Sequence, residues 1–153
     1  MKKLFLIFVI CLCVSPAFAV KMQYGVIAKE AFKDVQPEIN TTPYKLYVTN
    51  APEGYRKDYS DGSYSVSVGT KGFSYKNNKL ELILISDKSA LEFPRKTMNY
   101  DYPSGKLLYV AYATSLKDAY IFNPDGSLYG IWEDDVFFKG DKQTLSAKTS
   151  LLD

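Results

Sequence analysis

The stretch Tyr120–Phe138, "YIFNPDGSLYGIWEDDVFF", decides the reading of this 153-residue chain. It sets "NPDGS", Asn123–Ser127, between "DAYIFN" and "SLYGIWE", two runs rich in Tyr, Ile, Phe and Trp. Such residues suit a pleated, half-buried surface, and Pro-Asp-Gly supplies a preset φ followed by residues that tolerate positive φ. The pattern predicts two strands joined by a tight turn, with "VFFK" from Val136 as a further strand. The acidic residues Asp125, Glu133, Asp134 and Asp135 then mark the turn and the next bend.

The same punctuation recurs upstream. "SDGS" (Ser60–Ser63), "KNNK" (Lys76–Lys79) and "PSGK" (Pro103–Lys106) each sit between apolar segments. In "SYSVSV", Tyr64, Val66 and Val68 alternate with Ser63, Ser65 and Ser67, the period of a strand. "KLELILIS" (Lys79–Ser86) and "KLLYVAYAT" (Lys106–Thr114) are nearly continuous apolar runs, as expected of strands covered on both faces. "YKLYVT", Tyr44–Thr49, reads as one more strand. Helix signals are fewer. "IAKEAFKDV" places Ile27, Ala31 and Val35 on one face before Pro37, and "SDKSALEF", Ser86–Phe93, offers a cap and two turns before Pro94. The predicted fold is mainly β: a single-domain antiparallel β-meander with one or two short helices.

The chain opens with Lys2 and Lys3, an apolar run from Leu4 to Val14, and small residues at Ala17–Ala19. This predicts a signal peptide over 1–19 of bacterial, Sec-type form, and a periplasmic or secreted protein. Bulky Ile10 and Leu12 before Cys11 and Cys13 argue against a lipoprotein signal. The apolar run is too short for a span of roughly 20 residues, so no membrane span is expected after cleavage. One β-rich domain is predicted over 20–153, with 141–153 as a frayed tail. Both cysteines leave with the signal, so the processed chain carries no thiol or disulfide. Two of the 19 basic residues leave as well, so 17 face 17 acidic residues. That balance gives no footprint for nucleic acid.

The chain has no histidine. With cysteine gone too, Ser-His-Asp and Cys-His catalysis are excluded, and the commonest zinc ligand is missing. Gly69 and Gly72 in "VGTKGF" lack the spacing of a phosphate loop. A calcium site at Asn123, Asp125 and Ser127 lacks its remaining ligands, and an Asx turn explains the same residues. No catalytic residue, metal or cofactor is expected.

Two functional readings survive. A carboxylate pair, Glu133 with Asp135 or Glu81 with Glu92, would suit glycoside cleavage. Exposed aromatics would suit a protein or glycan partner, with Trp132, Tyr129, Tyr109 and Glu133 as candidate binding residues. Strict alternation puts Leu128, Gly130 and Trp132 on one face of their strand and Tyr129, Ile131 and Glu133 on the other. Gly130 then leaves a notch beside Trp132, although an aromatic at such a position more often packs the sheet than forms a platform. Tyr109 and Tyr112 fall on opposite faces.

Aligning the turns by glycine exposes an irregular repeat. "YPSGKLLYVAY" (Tyr102–Tyr112) and "FNPDGSLYGIW" (Phe122–Trp132) share an aromatic, Pro, a Gly turn, Leu, Tyr and a final aromatic; "YKNNKLELILI" from Tyr75 keeps the leading aromatic, a turn, Lys and Leu, and "YSDGSYSV" from Tyr59 keeps only the first half. Gly105, Leu107, Gly126, Leu128, Tyr129, Gly130 and Trp132 carry the pattern, which resembles the bacterial variant of the MORN repeat over about a third of the chain. The sequence departs from that family in having Ala111 in place of Gly and no regular period. The resemblance implies successive β-hairpins used in interaction, with no catalytic residues.

Overall fold

Among the described residues nine strands follow one another, and each pairs antiparallel with its neighbours in sequence. The computed structural model describes residues 16–134 and 136–140. Its strands are β1 (Tyr55–Asp58), β2 (Tyr64–Val68), β3 (Lys71–Lys76), β4 (Lys79–Ser86), β5 (Arg95–Asp101), β6 (Leu107–Ala113), β7 (Ala119–Phe122), β8 (Leu128–Glu133) and β9 (Val136–Lys139). The meander and all four anticipated turns are present. Gly62, Gly105 and Gly126 take positive φ at "SDGS", "PSGK" and "NPDGS", while Asn77 and Asn78 do so at "KNNK". The 141–153 tail lies outside the described residues.

At the two Asp-Gly-Ser turns the aspartate closes the loop in the same way. Asp61 accepts from the Ser63 N–H at 3.0 Å, and Asp125 accepts from the Ser127 N–H at 2.9 Å, each also taking the serine hydroxyl. Those hydroxyl bonds, reinforced by the amides, hold both carboxyls below the usual range. Asp125 is therefore occupied as an Asx-type cap.

Three of the hairpins share a deviation that alternation alone does not reveal. The register slips between Ser74 and Tyr75, between Asn99 and Tyr100, and between Ile121 and Phe122. Each slip leaves one extra residue on the returning strand: Glu81, Leu108 and Tyr129. The residue before each is a leucine, paired with a buried aromatic: Leu80 with Tyr75, Leu107 with Tyr100, Leu128 with Phe122. Thus Tyr100, rather than Tyr102, stands where the repeat places its leading aromatic. Turn length varies between these hairpins, yet the register returns to the same arrangement.

The core lies on one face of the sheet. Tyr75, Tyr100, Phe122, Ile83 and Val110 are fully buried there, each apolar body contributing roughly 1.5–3 kcal/mol. Helix α1, Pro16–Phe32, covers this face with Ile27, Ala28, Ala31 and Phe32, and Phe32 meets Phe122 edge-on at 6.2 Å. It begins eleven residues before the expected Ile27 and ends three before Val35, where Asp34 turns to positive φ. The packing residues lie beyond Ala19, so removal of a 1–19 segment would leave them in the chain.

Two other expectations are corrected. Thr42–Tyr47 is a 3₁₀ helix, not a strand. Pro43 presets its first turn, and the 3₁₀ period lets Tyr44 and Tyr47 both reach Phe73, at ring distances of 6.0 and 4.7 Å. Ser86–Phe93 contains no helix: Ser86 is the last residue of β4, and Glu92 folds back to accept from the Ser89 N–H at 2.9 Å, closing a turn.

Between α1 and the 3₁₀ helix the chain straps the β5–β6 turn. Ile39 N–H donates to Gly105 O, Leu107 N–H to Pro37 O, and the Tyr100 hydroxyl to Gln36 O. The Tyr75 hydroxyl donates to Tyr47 O at 2.9 Å and pins the far end of the same cover.

Candidate functional site

Among the described residues no helix covers the second face of the sheet. That face carries buried polar residues, Ser65 on β2 and Thr97 and Asn99 on β5, whereas toward β9 it becomes aromatic. Ala119, Ile121, Gly130, Trp132, Phe137 and Lys139 share that end of the face by register.

The bulge at Tyr129 reassigns β8. Leu128 turns to the helix-covered core, where it pairs with Phe122, and Gly130 and Trp132 remain on the open face. Tyr129 joins them: its ring lies 5.9 Å from Phe137, and Trp132 lies 5.4 Å from the same ring. The notch expected at Gly130 is filled, because a Cβ there would strike the Phe137 ring. An aromatic laid over a glycine covers backbone that has no side chain of its own. Trp132 stays 40% exposed and Tyr129 44%, with Phe137 between them and also exposed. The final hairpin therefore presents three contiguous rings, of which Phe137 had no place in the sequence argument. The period-two spacing of Val136–Lys139 was the available signal, since pairing β9 with β8 sets Phe137 opposite Trp132.

The other two candidates lie elsewhere. Tyr109 shares the open face but pairs with Asn99, away from the three-ring cluster. Its hydroxyl is pushed up to about 12 by burial and by the nearby Tyr59 phenol. Glu133 belongs to the helix-covered side, where its charge acts on Tyr24 and Tyr120 and helps raise both phenols, after the larger effect of burial. Tyr112 also packs on that side, opposite to Tyr109.

The carboxylate pairs fare differently. Asp135 lies outside the described residues. Glu92 is held below the ordinary carboxylate range by its bonds to Ser89, the reverse of what a general acid requires. Glu81 is the exposed bulge residue of β4. Among the described residues no group of three or more acidic, Cys or His side chains could hold a metal, and no helix is long and apolar enough to cross a membrane.

No family model, curated protein or solved structure matches the chain.

Proposed function

We propose that this chain is an exported, non-catalytic interaction module of bacterial origin, built from MORN-like hairpins, that engages a protein or glycan partner through its last hairpin. The observation that carries this reading is the exposed row Tyr129–Phe137–Trp132. Large rings with two rotatable bonds give much contact area for little ordering cost, which is why Tyr and Trp dominate binding hot spots. The recurring Leu-then-bulge register of three hairpins supports the repeat reading, and the signal-like residues 1–19 support export.

Carbohydrate is the second reading, favoured by an exposed indole beside two further rings. The planes of Trp132 and Phe137 meet at 48°, however, and those of Tyr129 and Phe137 at 32°. The three rings form a ridged surface rather than one flat platform, which favours a protein partner with side chains to seat between them.

The test is retention of a partner from envelope extract by immobilised protein, alongside an array of bacterial glycans. Trp132→Ala and Tyr129→Ala should each abolish capture while leaving the unfolding midpoint nearly unchanged. Capture that survives both substitutions would remove the last hairpin from the interaction.

A further inference from the structure

A second site lies on the polar part of the open face, around Arg95 at the start of β5. Its guanidinium is half-buried, and its Nε is buried with no hydrogen-bond partner. The Nη1 donates to Ser89 O at a long 3.3 Å, so the Nε edge of the fork is left without an acceptor. Among the described residues Arg95 forms no ion pair with a carboxylate. Asp87 acts on it through space, but one Asp87 oxygen already accepts from the Lys96 N–H at 2.8 Å. A guanidinium taken from water without a carboxylate is costly, and a buried N–H without an acceptor adds to that cost.

Beside this group is a cavity of about 30 Å³, walled by Ser67, Thr70, Gly72, Ser86, Arg95 and Thr97. Ser86 and Thr97 share one hydroxyl hydrogen bond at 2.8 Å. Two hydroxyls carry two protons, so one remains free to donate elsewhere. A methyl at Gly72 would lie 3.1 Å from Leu84 Cβ and 3.6 Å from Ser67 Oγ, both residues of the cavity wall. A single water-sized group needs roughly 10–15 Å³, so this space suits about two, the count of oxygens on one carboxylate.

We propose that this cavity is a carboxylate-binding site, in which the Nε edge of Arg95 and the free hydroxyl proton of the Ser86–Thr97 pair receive the two oxygens of a peptide's terminal or side-chain carboxylate. The fork geometry of arginine matches such a planar, two-oxygen acceptor. Orthophosphate, tetrahedral and with four oxygens in place of two, is the larger competitor for the same fork.

The test titrates protein purified from expression of the full chain with four probes, followed by amide chemical shifts. N-acetylglycine presents a main-chain carboxylate, N-acetylglutamate α-amide a side-chain carboxylate, N-acetylglycinamide no charge, and orthophosphate the larger anion. One or both acids should bind at least about tenfold tighter than the amide, since a hydrogen-bonded charge pair is worth that much. Shifts should appear at Gly69, Thr70, Gly72 and Thr97, and the tighter acid identifies the source. Arg95→Met should remove the binding, because it deletes the Nε donor that has no acceptor in the fold. Should Arg95→Met fail to fold, Ser67→Val narrows the cavity without touching the guanidinium and should also abolish the shifts. Equal binding of the amide, tighter binding of phosphate, or undiminished acid binding by either folded variant would overturn the proposal.

Discussion

The bulge in the β5–β6 hairpin makes adjacent leucines unequal, and a pair of alanine substitutions measures the difference. Two-residue alternation carried back from buried Val110 selects Leu108 for the core. The slipped register instead turns Leu107 inward, 9% exposed opposite Tyr100, and leaves Leu108 42% exposed. Leu107→Ala deletes a side chain packed in the core cluster, so both transfer and cavity terms apply, at about 3 kcal/mol. Leu108→Ala forfeits only part of its apolar contact and leaves no enclosed void, for about 0.5–1 kcal/mol. For a domain of this size the first should lower the melting temperature by roughly 10 °C and the second by only a few degrees. Urea unfolding should show the same split in midpoint, with the slope unchanged because the surface exposed is the same. Equal costs, or a larger cost at Leu108, would refute the bulge and with it the shared register of the three hairpins.

Other perturbations have equally definite expectations. Gly105→Ala places a Cβ against the Ile39 carbonyl at a positive φ, whereas Gly126→Ala meets a similar φ with no atom within 4 Å; the first should cost at least about 2 kcal/mol and the second about 1 by chemical denaturation. Tyr75→Phe leaves the Tyr47 carbonyl without its donor and should destabilise by roughly 1–2 kcal/mol, with amide exchange quickening first in Thr42–Val48. Burial raises the Tyr75 and Tyr109 phenols from 10 to about 12. The unfolded chain therefore releases those protons first, and stability should be intact below pH 10 and fall between pH 10 and 12. Denaturation midpoints alongside tyrosinate absorbance check the sign, and rising stability over that window would contradict it.

Much of this fold was legible because its turns are chemically explicit. Asp-Gly, Asn-Asn and Ser-Gly each supply positive φ where the chain must reverse, and the intervening runs leave room for little except adjacent antiparallel strands. The bulges were not legible, since a local sequence does not say which partner residue will be skipped. That one omission misplaced Leu128 and Tyr129, and with Tyr129 one of the three rings of the cluster. Tyr44–Tyr47 misled for another reason: aromatics among polar residues read as a strand, whereas Pro43 starts a 3₁₀ turn and docking on Phe73 aligns the two rings. Strand β5, "RKTMNYD", gave little apolar signal because one of its faces meets the polar half of the open side, where Thr97 and Asn99 are buried. Arg95 stood out in no motif; its interest comes from the missing acceptor beside it.

The chain contains a single tryptophan, and it stands in the proposed interface. Its fluorescence therefore tests the central reading without a label. Emission from the free, folded protein should be that of a solvated indole, readily quenched by acrylamide, and should shift to shorter wavelength and resist quenching as the captured partner is added. A buried-type emission before any partner, or one that saturating partner leaves unchanged, would contradict the interaction surface assigned to Tyr129, Trp132 and Phe137.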